Sequence, residues 1–122
     1  MPDEFADPAD IAGYHAHIYY DPLTRAQAEQ LREPIAKEFA VTLGRMHDVP
    51  VGPHPVAMYQ IAFPVEEFAR FVPWLVLNRN GLNVLVHPMT GDAYADHTVF
   101  ALWLGTPLPL RTEVLRRAPA TS

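Results

Sequence analysis

No cysteine occurs among the 122 residues. That excludes disulfides, thiolate metal ligands and a cysteine nucleophile, and it fits a cytoplasmic setting. Basic runs are also missing. Nine Lys and Arg stand against fourteen Asp and Glu, for a formal charge of -5, which speaks against nucleic acid or an anionic membrane surface as a partner. No stretch approaches the ~20 apolar residues of a membrane helix. The start, Met1-Pro2-Asp3-Glu4, is acidic with no apolar stretch behind it, unlike a signal peptide. Repeats and low-complexity segments are absent. What remains is a globular composition, 49% apolar and 19% charged, of a length that fits one domain and buries roughly two-thirds of its unfolded surface.

Residues 1–12 carry four carboxylates and two prolines and read as a flexible arm. Residues 118–122 read as a flexible tail, leaving 13–117 as the single folded domain. Within it, strand and helix signals alternate. Residues 13–20 form the first strand, with Ala16 and Ile18 on one face and His15 and His17 on the other. Thr24 followed by Gln27 matches a capping box, and Ala28, Leu31, Ile35 and Phe39 give the buried stripe of a helix that Pro34 should kink or split near Glu33. Residues 41–47 read as a short strand and 54–63 as a third. In that third strand Ala57, Tyr59, Ile61 and Phe63 share one face, and His54, Val56, Met58 and Gln60 the other.

Pro64 suits the first turn of a second helix with Phe68, Phe71 or Val72, and Leu75 as its stripe. Pro73 implies a kink, and Asn80-Gly81 a left-handed stop. Residues 82–87 form the fourth strand, with Val84 and Val86 facing the helices and Leu85 and His87 the open side. Tyr94 to Leu104 fits a helical turn, an extended piece, or both. The order predicts an α+β protein: a ferredoxin-like βαββαβ sandwich, its antiparallel sheet covered on one face by two helices, with a C-terminal extension. In that sheet the first strand lies between the third and fourth. His87 then falls near His15 and diagonal to His17, and His54 beside Tyr19.

Four histidines on one sheet face suggest metal binding or proton transfer. Cross-strand neighbours about 5 Å apart at Cβ, and diagonal ones about 7–8 Å apart, can be bridged by one ion. His97 beside Asp96 is either a general acid/base or a surface pair. His47 reads as a solvated residue, Trp74 as core, and Trp103 as core or pocket wall. Arg25 and Arg79 read as surface arginines. Val56, Met58 and Leu85 leave apolar surface on the open face that needs cover, from a second copy or from the C-terminal segment folding back. Imidazoles alone do not fix the ion. Two histidines and a carboxylate (Asp92 or Asp96) would favour non-haem iron(II), whereas three histidines and water are more typical of zinc.

The segments 13–20 (GYHAHIYY), 52–55 (GPHP), 85–92 (LVHPMTGD), Asp96-His97 and 103–105 (WLG) together resemble the DOPA 4,5-dioxygenase family over nearly the whole chain between the tails. The resemblance implies a ferredoxin-like fold, frequently dimeric, and extradiol cleavage of a catechol such as L-DOPA by Fe(II) and molecular oxygen, with zinc or another divalent metal as a possible occupant. It implies His15, His17 and His87 as metal ligands, and His54 and His97 as acid/base or substrate-orienting residues. The expected partners are a small aromatic substrate, oxygen and a second copy of the chain. Two other readings compete. One is a non-catalytic dimeric module that binds a metal or small molecule. The other is a cofactor-free isomerase or monooxygenase with a histidine base.

Overall fold

The computed structural model describes residues 4–117; the tail assigned to 118–122 and the first three residues of the arm lie outside the described residues. In chain order the elements are β1 (Tyr14–Tyr19), α1 (Arg25–Gln30), α2 (Arg32–Glu38), β2 (Thr42–Leu43), β3 (Met58–Phe63), a 3-10 turn (Val65–Glu67) leading into α3 (Phe68–Asn78), β4 (Val84–Pro88), α4 (Ala93–His97), β5 (Leu102–Leu104) and α5 (Glu113–Arg117). The sheet order is β2-β3-β1-β4-β5, with every neighbouring pair antiparallel. Its first four strands are arranged as the sequence predicts. The fifth resolves the ambiguous segment: 94–104 is both helix and strand.

Alternation along the strands sorts the side chains into two layers. Ala16, Ile18, Tyr59, Ile61, Val84 and Val86 point to the helices and pack with Ala28, Leu31, Ile35, Phe71, Val72 and Leu75. Each fully buried large side chain there contributes about 1.5–3 kcal/mol. On the opposite face Tyr19, Met58 and Leu85 form a smaller apolar cluster. Ala101, Trp103, Leu108 and Leu110 cover it, so the C-terminal segment supplies the cover that this face needs.

Several boundaries differ from expectation for local reasons. The first helix is broken at Leu31, not near Glu33, which places Pro34 in the first turn of α2, where its missing N–H has no intrahelical role. Thr24 does not cap α1. Instead Asp21 Oδ1 accepts from the Leu23 and Thr24 amides at 2.9 Å each, an Asx turn that displaces the capping box. β3 starts at Met58 rather than residue 54, because Pro53 and Pro55 lack the N–H groups a ladder needs. β2 is reduced to two residues, although Gly44 N–H still donates to Gln60 O at 2.7 Å and His47 bridges Met58. The stop after α3 is as expected, with Asn80 and Gly81 both left-handed (φ 57° and 77°). Along 4–12 a 3-10 turn is capped by Asp7, and Ala12 N–H donates to Met89 O at 2.9 Å.

Glu67 ties the helical layer to the second edge of the sheet. It is buried, and its carboxylate accepts from Ala40 N–H at 2.7 Å and pairs with Arg70 at 3.1 Å. Glu67→Ala leaves the Ala40 donor without that partner and is expected to cost about 1–3 kcal/mol, read as a lowered midpoint in urea unfolding. An unchanged midpoint refutes the role.

Candidate metal centre

β1 aims His15, His17 and Tyr19 at the open face, and register does the rest. His15 lies directly opposite His87, and His17 opposite Leu85 on one side and Gln60 on the other. His87 therefore arrives beside His15 and diagonal to His17. The His17 and His87 Nε2 atoms stand 3.1 Å apart. His54 comes from the loop before β3, held by its own N–H donating to Val51 O at 2.8 Å. It is not part of a strand, yet it reaches the face that strand alternation assigned to it and meets the Tyr19 hydroxyl through Nδ1 at 2.7 Å. His97 comes from the end of α4, and its ring centroid lies 4.0 Å from that of His87. His17, His54, His87 and His97 are buried, and His15 is half-buried. All five predicted site histidines thus converge. They fall into two groups whose ring nitrogens lie within 4.8 Å of one another, His15–His17–His87 and His17–His54–His97, with His17 shared.

Burial is the first cause of the electrostatics here. It lowers His15 and His97, drives His17 well below the ordinary 6.5, and brings His54 to about 4 and His87 to about 3. Neighbouring imidazoles add to the depression of His15, His17, His54 and His87. Near neutral pH the cluster is uncharged, the form in which histidine ligates metal.

The hydrogen bonds then set the tautomers. His87 Nδ1–H donates to Pro88 O at 2.9 Å and His97 Nδ1–H to Ala93 O at 2.7 Å. A carbonyl can only accept, so both rings keep a lone pair on Nε2. Fixing one ring nitrogen with a backbone carbonyl is the usual outer support of a metal-binding imidazole.

A divalent ion fits this donor set. Two nitrogens each about 2.1 Å from one ion stand about as far apart as the Nε2 atoms of His17 and His87. The Nδ1 atoms of His15 and His17 are buried without any hydrogen-bond partner, a costly condition for rings that serve only the core. Carboxylates do not enter. Asp96 is buried but spends both oxygens on Thr90, accepting from its hydroxyl at 2.6 Å and its amide at 3.1 Å. Asp92 caps α4 by accepting from Ala95 N–H at 3.1 Å. Both histidine groups are all-nitrogen.

A cavity of about 500 Å³ opens on His17, His54 and His97. Of the apolar residues expected to line it, Met58 does so, together with Val51, Val114 and Leu115. Val56 and Leu85 lie instead under the C-terminal segment. Trp103 also belongs there, stacked on Tyr19 at 5.9 Å, and Trp74 packs on the main core. His47, read as solvated, is half-buried and borders the cavity. Arg25 pairs with Asp48 and Glu29, and Arg79 donates to Leu82 O. Two contributors were given no role in the sequence reading. Tyr19 shares the parity of His15 and His17, a signal that was available. Arg45 follows a glycine at a strand end, where no periodicity marks it.

Residues 14–114 match the model of the Dopa 4,5-dioxygenase family. The chain is 39% identical to a protein of Botryotinia fuckeliana described as an uncharacterized 21.2 kDa protein, aligning 94% of this chain with 71% of that one. It is 36% identical to the DOPA 4,5-dioxygenase of Amanita muscaria over 84% of this chain and 49% of the other, so it spans about half of that relative. A crystal structure of a "putative dioxygenase" from Nostoc punctiforme PCC 73102 superposes with a TM-score of 0.91 at 52% identity, covering 93% of this chain and 98% of that one.

Stripped of metal by a chelator, the protein should lose stability in acid. Unfolded histidines titrate near 6.5, whereas His54 and His87 hold out to about 4 and about 3. The unfolded state therefore binds more protons in between. Their stabilising effect is complete above about pH 6.5 and is lost as pH falls through that window. Thermal melts from about pH 7 down to about pH 4 should show a falling Tm, with a shallower slope in His54→Gln; a flat profile refutes the buried neutral cluster. Restoring a divalent ion near pH 7 should raise stability by about 2.7 kcal/mol at a hundredfold excess over Kd.

Proposed function

The chain belongs to the Dopa 4,5-dioxygenase family, and on that premise we propose that it is an extradiol dioxygenase that opens a catechol ring with molecular oxygen at a histidine-bound iron(II). The observation that carries this reading is the convergence of five neutral, mostly buried imidazoles beside a cavity large enough for an aromatic ring. In this reading His15, His17 and His87 hold the ion. Zinc or another divalent ion suits the same nitrogens. When bound, iron(II) supplies Lewis acidity toward the catechol oxygens and redox chemistry toward oxygen.

The chain's own residues do the rest. His54 accepts the second phenolic proton on Nε2 while its Nδ1–H donates to the Tyr19 oxygen, the arrangement their 2.7 Å contact allows. His97, its Nδ1–H held by Ala93 O, presents an Nε2 lone pair that orients a substrate hydroxyl. Met58, Leu115 and Val114 pack against the ring and keep water from it. Both oxygen atoms enter the product, which leaves the ring open beside the diol as an acid and an aldehyde. The proton taken by His54 returns to the product, and no external reductant is consumed. The reading carries with it the cytoplasmic, homodimeric setting expected from the sequence. Among the described residues, no helix is long and apolar enough to cross a membrane.

Protein loaded anaerobically with iron(II) should turn a catechol yellow on admission of air, with stoichiometric oxygen uptake. His17→Ala and His87→Ala should lose bound iron along with turnover. His54→Gln should keep the iron but lower kcat by about 10²–10⁴. Full iron occupancy without oxygen uptake, or tight zinc binding by a closed site, would replace this reading with that of a binding module.

A further inference from the structure

The histidine centre is bordered by two cavities. The one described above opens on His17, His54 and His97. A second, of about 530 Å³, borders His15. No lining residue is common to the two. Strand register explains the second. Thr42 pairs with Ala62, Ala62 with His15, and His15 with His87, so these four side chains form one cross-strand row on the open face, with neighbouring Cβ atoms about 5 Å apart. Beside His15 on its β3 flank stands only the methyl group of Ala62. The C-terminal cover lies elsewhere: Trp103, Leu108 and Leu110 rest on Tyr19, Met58 and Leu85, and Val114 and Leu115 line the first cavity.

The two cavities differ in chemistry. The first holds His54 and His97, the groups able to exchange protons with a substrate. The second is lined by neither a carboxylate nor a cationic side chain, and by no imidazole except His15. Small residues such as Gly13, Ala40 and Ala62 leave it room beside that ring. Backbone donors in its wall are already spent: Ala40 N–H on Glu67 at 2.7 Å, Ala12 N–H on Met89 O and Met89 N–H on Gly13 O at 2.9 Å each. Such a wall holds a small neutral molecule and gives a charged or strongly polar one little in return for its hydration. An ion held by His15, His17 and His87 touches one cavity through His15 and the other through His17, so it is within reach of two ligands that arrive separately.

We propose that the cavity over Ala62 is a separate entrance by which dioxygen reaches the His15 side of the centre, while the aromatic substrate occupies the cavity on His17, His54 and His97. Dioxygen is small, uncharged and apolar, and needs no proton donor in order to bind. The larger, ionisable diol belongs where His54 and His97 can meet its hydroxyls. Ala62 keeps the entrance open because it carries a single carbon next to His15. The proposal rests on the ring-cleavage reading for the identity of the gas, but its test does not depend on turnover.

Nitric oxide serves as the probe for dioxygen. Its uptake by iron(II)-loaded protein in anaerobic buffer is followed by stopped-flow absorbance and by electron paramagnetic resonance, with L-DOPA at saturation. Ala62→Leu should slow uptake roughly tenfold or more and leave iron content and L-DOPA affinity unchanged. Val114→Trp, in the other cavity, should weaken L-DOPA binding and leave the uptake rate as it is. Thr42→Trp, at an exposed position of the same row as Ala62, repeats the test should Ala62→Leu not hold iron. In metal-free protein, diethyl pyrocarbonate should modify His15 more slowly in either of these two variants, with His97 unaffected, as read by peptide mass. Unslowed uptake or unslowed His15 modification in the variants, or L-DOPA that shuts nitric oxide out, overturns the separate entrance. If admitted air gives no oxygen uptake with L-DOPA or other catechols while the gating of nitric oxide stands, ring cleavage is refuted and the entrance is retained for a small neutral ligand. Oxygen uptake without that gating gives the reverse result.

Discussion

Burying several imidazoles together forces every one of them to remain uncharged, and the rest of the centre follows from that constraint. A proton on any ring would sit in a poorly hydrated space beside four other rings that gain nothing from its charge. The cluster avoids this by spending its outward-facing nitrogens on backbone carbonyls at Pro88 and Ala93 and on the Tyr19 hydroxyl. The remaining lone pairs are turned toward one another. That arrangement is poor for a core and good for a cation, since two nitrogens at 3.1 Å need a proton or a metal between them.

The same sheet carries two different interiors because strand residues alternate. Even-numbered positions of β1 and β4 pack under the helices and supply most of the stability; odd-numbered positions face the histidine side. The separation lets the polar face depart from core rules without loosening the main core. It also explains why Asp96 can be fully buried and still take no part in the centre: its work is to hold Thr90, and through it the loop that joins β4 to α4.

The sequence showed most of this face. Parity placed His15 with His17, and the expected strand order brought His87 to them, because both depend only on alternation and on connections that are short and antiparallel. His54 was assigned to the right face although it sits in a loop, since Tyr19 draws it toward the position a strand would have given it. Where chain direction is set by tertiary contacts, the sequence was silent. β5 is a short piece whose pairing with β4 cannot be seen in its own pattern. Arg45 lies where the pairing of this segment with β3 slips by one residue between Leu43 and His47, and Thr24 is drawn into the turn made by Asp21, whose side chain accepts from the Leu23 and Thr24 amides and leaves α1 without a side-chain cap.

The C-terminal segment does two jobs at once. Leu108 and Leu110 lie on the Tyr19–Met58–Leu85 cluster, and Arg111 N–H donates to Pro53 O at 2.8 Å, next to His54. A nascent chain emerging from the ribosome can pair its central strands well before these residues are released. Until then the Tyr19–Met58–Leu85 side of the histidine face lacks its cover. The centre is therefore complete only when this later segment lies across the face, which is the condition for the rings to lose their solvent.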